Sequence, residues 1–369
     1  MSNIKISAYI SGHGFGHISR SLEALSNILL LRPDWSVRII SPRGEEFARS
    51  LDDKGLWGRV KDRFSFESEK PDVGIIQRDS LGMDLEATKS EIEIFRKNKE
   101  SFLDKQTKSL RAETPDLIWS DSSSLPFCLS SSLHIPSLFL GNFTWDFIYS
   151  KYEDPIFRSF SQELKEEYEN CDLGLVLPLS CPITSIRNTR EIGLLGRKPN
   201  LDKESARRYY GFEEGIQYYL FSFGAYGIDP TQFDWKNWDP SKKRIVVGGV
   251  EWKGENHLGL VSIPKCHYPD LLRACDFVLT KPGYGILSEA YFAGTPVLYT
   301  DRGDFPEYPY LVKELGSKFN SAYISHNNIY SFHWDPSSRK AIENQPKPDP
   351  RFEKNAIYDI LNFIEELIS

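Results

Sequence analysis

Twice along this chain a short β-branched run ends in a glycine-rich turn, and the turn opens onto an apolar helix followed by another such run. Ile4–Ile10 leads into the turn Ser11–His17, and Ile18–Leu31 then carries helical apolar spacing. Arg32-Pro33-Asp34 stops that helix, and Val37-Arg38-Ile39-Ile40-Ser41 reads as the next strand. Asp116–Ser120 and Ser137–Leu140 repeat the arrangement around an apolar helical segment. Strands separated by helices pair in parallel through crossovers, so the pattern predicts an α/β protein whose sheet is covered on both faces.

Tyr149–Glu169, rich in rings and charges, reads as helical, and turn-forming residues then cluster at Pro178–Pro182 and Gly193–Pro199. A second alternating series follows. Its strands are Tyr218–Phe223, Arg244–Val247, Phe277–Thr280 and Pro296–Tyr299, with the helix Leu287–Ala293 after the third. Pro346–Pro350 breaks the chain before an amphipathic helix over Phe352–Leu367. The length of 369 residues suits two domains. The expected division is a Rossmann-like domain over 1–180, a second over 181–350, and a final helix over 351–369 that packs back on the first.

Composition excludes several classes of function. Lys and Arg number 45 against 52 Asp and Glu, a net charge of −7, which argues against a nucleic-acid binder. No apolar run approaches the roughly 20 residues of a membrane-spanning helix. Met1–Ile6 turns straight into a strand pattern without signal-peptide anatomy, so a cytoplasmic location is expected. Cys128, Cys171, Cys181, Cys266 and Cys275 are odd in number and lack CxxC spacing, so neither a disulfide framework nor a zinc site is indicated. Aromatic residues, at 13%, are high for a plain scaffold.

The first glycine turn, Gly12-His13-Gly14-Phe15-Gly16-His17, fails the dinucleotide fingerprint because His17 occupies the third glycine's place. A nicotinamide cofactor is thereby disfavoured, and no phosphate-loop motif is present. The turn instead offers open backbone and two imidazoles at a strand end, where open α/β sheets bind ligands. The histidines could hold a metal, but the glycines work against a regular helix there and no carboxylate or Cys cluster completes a ligand set. They could simply hydrogen-bond within the turn. They could also supply a general base, which needs an orienting carboxylate. Asp121, at the end of Leu117–Ser120, is placed to be that partner, or equally to serve as a turn or helix-capping residue.

In the second half, Lys281-Pro282-Gly283-Tyr284-Gly285 lies between a strand and the helix carrying Ser288 and Glu289. Free N–H groups at such a helix start bind phosphate, although the same residues also suit a purely structural turn. The loop Phe221–Gly227, with Gly224, ends another strand, and Asp301–Glu307, with Arg302 and Glu307, follows the next. Three such loops at strand ends of one domain read together as a nucleotide-sugar site.

These stretches carry a resemblance. The chain resembles glycosyltransferases of the two-Rossmann (GT-B) architecture, in which two α/β domains face each other across a cleft. It is similar in particular to the N-terminal glycosyltransferase-like domain of plant L-arabinokinases. The shared runs are Ser11–His17, Asn142-Phe143-Thr144-Trp145-Asp146-Phe147-Ile148-Tyr149, Gly283-Tyr284-Gly285 with Ser288-Glu289-Ala290, and Phe305 to Pro309. More distantly it looks like the bacterial N-acetylglucosaminyltransferase that makes the peptidoglycan lipid precursor. The resemblance implies His17 as base with Asp121 as its partner. It implies diphosphate and ribose contacts at Gly283, Gly285 and Glu289, with Ser288 beside them and Gly224 in the facing loop. Glu307 would meet the donor-sugar hydroxyls, Arg302 of the same loop would belong with the donor-binding residues, and His13, Asn142, Trp145 and Asp146 would lie on the acceptor side. Kinase activity is not implied, because in that family it belongs to a separate C-terminal domain.

The resulting expectation is a metal-independent, inverting glycosyltransferase. It would move a sugar from a nucleotide-diphospho donor, a UDP-sugar, to a carbohydrate or other hydroxyl acceptor, with no cofactor and no Asp-x-Asp metal motif. A nucleotide-sugar epimerase of the same fold and a non-catalytic nucleotide-sugar-binding protein are the alternatives.

Overall fold

The computed structural model describes residues 3–51, 55–78, 82–224, 230–249, 257–344 and 346–369. The chain forms two compact units: the first holds 1–76, 84–195 and 350–369, and the second holds 77–83 and 196–349.

The sheet of the first unit contains β1 (Lys5–Ile10), β2 (Ser36–Ile40), β3 (Phe64–Glu67), β4 (Leu117–Asp121), β5 (Ser137–Gly141), β6 (Leu173–Val176) and β7 (Thr189–Glu191). Their order is β3-β2-β1-β4-β5-β6-β7, with every pairing parallel. Every residue of β4 and β5 is buried, as expected of a sheet covered on both faces. Packed with this sheet are α1 (Gly16–Leu31), α2 (Gly44–Arg49), α3 (Leu85–Ala112), α4 (Pro126–Leu133), α5 (Trp145–Tyr149) and α6 (Pro155–Tyr168). Helix α1 buries Ile18, Leu22, Leu25, Ile28 and Leu29 on one stripe, each worth about 1.5–3 kcal/mol of burial.

The strand order reverses between β1 and β4, where Ile10 lies opposite Asp121. That switch point is where open α/β sheets leave a crevice for ligands, and both the glycine turn and Asp121 stand there.

The second unit has β8 (Gln217–Ser222), β9 (Lys243–Gly248), β10 (Leu260–Ile263), β11 (Phe277–Thr280), β12 (Val297–Tyr299) and β13 (Ser321–Tyr323), in the order β10-β9-β8-β11-β12-β13. All of these pairings are parallel too. Its helices include α7 (Lys203–Tyr209), α8 (Tyr268–Ala274), α9 (Tyr284–Ala293) and α10 (Tyr308–Lys318). The reversal falls between β8 and β11, so Gly224 and the Lys281–Gly285 turn flank this switch point. One core gathers Tyr219, Phe221, Phe233, Phe277, Phe332 and Trp334, which accounts for much of the aromatic excess.

Several boundaries differ from the sequence expectation, each for a local reason. The first unit continues to Leu195 rather than 180, because β7 adds to the sheet edge beside β6. Residues 77–83 belong with the second unit, where Gln77 Oε1 accepts from Lys281 Nζ at 3.1 Å. The expected helix Tyr149–Glu169 shortens to α6, since Tyr149 ends α5 and Pro155 starts α6 behind an Asp154 cap. The C-terminal helix runs over Ala356–Ile368, capped by Asn355, and Pro350–Glu353 forms a separate short turn of helix. The long helix lies against α1, with Glu365 accepting from Arg32 Nε at 2.6 Å. Among the described residues, no helix is long and apolar enough to cross a membrane.

Candidate active site

The first glycine turn is tighter than its sequence suggests. Gly14 takes a left-handed conformation (φ +73°), which a glycine adopts without strain, and the helix begins at Gly16. Gly16 and His17 therefore belong to the first turn of α1 rather than to the loop, despite the expectation that the glycines work against a regular helix there. His17 is thus held rigidly, 5% exposed.

Its Nδ1 lies 2.8 Å from Asp121 Oδ1, and Asp121 is fully buried. A third residue, unforeseen from the sequence, organises this pair. Arg20, one turn further along α1, donates from Nε to Asp121 Oδ2 at 2.8 Å and from Nη2 to Oδ1 at 2.5 Å. Its Nη1 donates to Asn142 Oδ1 at 2.8 Å, and Ser21 Oγ donates to Asp121 Oδ2 at 2.7 Å. Burial by itself would raise the Asp121 carboxyl, but the Arg20 charge and then His17 outweigh it and hold the group well below the usual carboxylate range. Ser122 follows in a left-handed conformation (φ 66°), and its carbonyl accepts from the Tyr168 hydroxyl. A non-glycine residue held there is strained backbone directly beside the pair.

A second buried carboxylate stands close by. Asp72 accepts from Trp145 Nε1 at 2.9 Å and from the Ser11 hydroxyl, and burial raises its pKa against these donors and His17. No sequence signal marks it, since a lone acid between β3 and α3 resembles any loop acid. Arg20 had a signal that was passed over: it stands three residues after His17 on one helix face.

The expected acceptor-side residues are mostly consumed by structure. Asn142 is buried and bonded to Arg20. Trp145 is 1% exposed, with its N–H on Asp72 and its ring edge-on to His13 at 5.1 Å. Asp146 is buried, accepts from Ser185 Oγ at 3.2 Å, and is raised by that burial. Phe143 and Tyr149 are buried as well, so of the rings in this run only Phe147 is partly exposed, and the run serves chiefly as core. Packing won because α5 lies against α6 and turns the rings inward. His13 keeps some exposure and lies against the backbone of Gly74, where an added Cβ would come within 2.5 Å of its Nδ1.

In the second unit, Gly283 caps α9 without a side chain, and Gly285 lies inside the helix, so the helical start is nearer the strand than expected. Nothing lies within 4 Å of a Cβ built on Gly283, so there is open space beside the N-cap of the helix. Gly224 is exposed at the end of β8 with φ +72°, and Ala225 to Gly227 of its loop lie outside the described residues. Ser288 is buried, donates to Gly285 O at 3.0 Å and packs on Gly196. Glu289 is buried and accepts from Arg197 Nε at 2.7 Å. Glu307 is paired with Arg302 at 2.5 Å, and the Arg302 guanidinium lies over the Phe305 ring, 4.1 Å from its centroid. Among the described residues, no group of three or more His, Cys, Asp or Glu is placed to hold a metal ion.

No protein-family model matches the chain. L-arabinokinase of Arabidopsis thaliana is 25% identical over 344 residues, covering 92% of this chain but only 32% of that protein. The chain thus spans about a third of the curated relative it matches. Among solved structures, Arabidopsis thaliana UGT89C1 complexed with UDP superposes with a TM-score of 0.66 at 14% identity, covering 99% of this chain and 100% of that one. CalG4, the calicheamicin glycosyltransferase, gives 0.58 at 16% identity, with 100% and 94% covered. The fold is that of the GT-B glycosyltransferases. Within a GT-B chain, the buried imidazole–carboxylate pair belongs to the N-terminal unit, and the open helix start at Gly283 belongs to the unit that follows.

Proposed function

We propose that this protein transfers a sugar from a nucleotide-diphospho donor to an acceptor hydroxyl, with His17 as the general base. The observation that carries the reading is the His17–Asp121 pair, anchored at the β1/β4 switch point of a GT-B fold. UGT89C1, solved also with UDP-L-rhamnose and with quercetin, makes a UDP-sugar the first donor class to try and a hydroxyl compound the first acceptor class.

In this reading, a proton on His17 Nδ1 is donated to Asp121, which leaves Nε2 free to accept. The acceptor hydroxyl gives its proton to Nε2 as its oxygen attacks the anomeric carbon. The bond from that carbon to the diphosphate breaks, and the electron pair leaves with the nucleoside diphosphate. Attack opposite the leaving group inverts the anomeric centre. The N–H groups at the start of α9 and the helix dipole meet the departing charge, so no metal ion is required of the protein. Glu289 and Arg197 support the ribose end, and Arg302 with Glu307 the donor sugar.

A thermal-shift screen of nucleotide sugars, followed by transfer assays across hydroxyl acceptors, tests the reading. Substituting His17→Gln is expected to lower transfer about 10²–10⁴-fold while donor binding persists. Full turnover in that variant removes His17 from the role of base. Isomerised donor without transfer would point to an epimerase, and binding without any turnover to a sensor.

A further inference from the structure

Arg20 is 3% exposed and places both Nε and Nη2 on the partner of the imidazole, while Nη1 is held by Asn142. A guanidinium only donates hydrogen bonds and an ionised carboxylate only accepts them. His17 Nδ1 therefore sits between an acceptor, Asp121 Oδ1 at 2.8 Å, and a donor, Arg20 Nη2 at 3.0 Å. A bare carboxylate at that distance draws an imidazole toward its charged form, and a charged imidazole takes no proton from an acceptor.

We propose that Arg20 is a positioning residue for His17: it clamps both oxygens of Asp121 and offsets their charge, so the carboxylate serves to orient the ring. The other groups facing the ring fit this role. From the segment between β3 and α3 comes Asp72, whose donors are the neutral Ser11 hydroxyl and Trp145 indole and whose ionisation burial opposes. From the β5–α5 connection comes the uncharged Phe143 ring, edge-on at 5.6 Å. Helix α1 contributes Arg20 and β4 contributes Asp121, so Arg20 supplies the positive charge beside the Asp121 carboxylate. The proposal rests on the reading of His17 as base, but it can be tested without turnover.

The test is the titration of His17 in the full chain labelled with nitrogen-15 at histidine, its signal assigned by its loss in His17→Gln. Arg20→Gln is expected to raise the midpoint by about one pH unit. Arg20→Lys, which keeps the charge, should stay close to the wild-type midpoint. The acid limb of transfer should move with the midpoint, whereas a merely structural loss would lower the rate equally at every pH. An unmoved midpoint in folded Arg20→Gln overturns the proposal. Because Arg20→Gln leaves a buried carboxylate unpaired and can fail to fold, the comparison is repeated on Asp121→Asn. Adding Arg20→Gln to Asp121→Asn must raise the midpoint relative to Asp121→Asn alone, and no rise is equally fatal. A midpoint that moves in a protein that transfers no sugar keeps the role of Arg20 and removes the proposed function. Transfer with an unmoved midpoint does the reverse.

Discussion

Replacing Trp145 by Phe keeps a ring against Phe143, whose centroid lies 5.0 Å away, and removes the indole N–H that Asp72 accepts at 2.9 Å. Two costs combine. Losing a hydrogen bond to a buried carboxyl costs about 1.5–3 kcal/mol when the group is ionised and about 0.5–1.5 kcal/mol when it is neutral. The smaller ring leaves a few atoms' volume unfilled, worth about 1–2 kcal/mol in a site that is 1% exposed. The total is about 2.5–5 kcal/mol with Asp72 ionised, or a fall in Tm of roughly 5–20 °C for a unit of this size.

The pH dependence has a definite sign. Burial raises the folded-state pKa of Asp72, so below the unfolded value of about 3.9 both states are protonated and the group has no net effect. As pH rises past that value, the unfolded chain ionises first and the folded state loses stability until its own raised pKa is passed. Trp145 favours the ionised form, so the cost of Trp145→Phe is largest above the folded pKa and shrinks as pH falls through it. Urea unfolding followed by circular dichroism across a pH series from about 3 to 9 measures the penalty on both sides of the folded pKa. The penalty should grow as pH rises through the series, and the pH dependence should vanish in an Asp72→Asn background. A penalty below about 1 kcal/mol, or one that is constant across the series, would refute the reasoning.

Two further outcomes are expected. Glu289→Ala should raise the dissociation constant for UDP about tenfold by calorimetry, equivalent to about 1.4 kcal/mol. An unchanged constant would leave Glu289 as the ion-pair partner of Arg197 and nothing more. Gly193→Ala places a methyl against the backbone carbonyl of Lys354, just ahead of the C-terminal helix. It should cost about 1–3 kcal/mol and speed hydrogen exchange over Ala356–Ile368, and unchanged exchange there would show that the contact yields freely.

The alternation of strands and helices was legible because each buried parallel strand must be apolar throughout, as Leu117–Trp119 and Phe277–Leu279 are. Edge strands were not. Thr189–Glu191 has only three residues, none buried, so nothing in its composition separates it from loop. Asp121 was found because it ends an unmistakable strand, and Arg20 was overlooked because an arginine on a helix is normally solvated. The Asn142–Tyr149 run stands out in the sequence, but a motif does not say which way its rings face, and here Phe143, Trp145 and Tyr149 face inward.

By itself, the sequence determined the α/β class, the two-unit organisation and the glycine turns that end the strands, because strand burial, helical periodicity and backbone freedom are local properties. The tertiary structure decided which charges meet. Arg20 and Asp121 are 101 residues apart, and Asp72 and Trp145 are 73 apart. Parallel crossovers bring distant strand ends to one edge, and only there does a buried carboxylate acquire the partner that sets its charge.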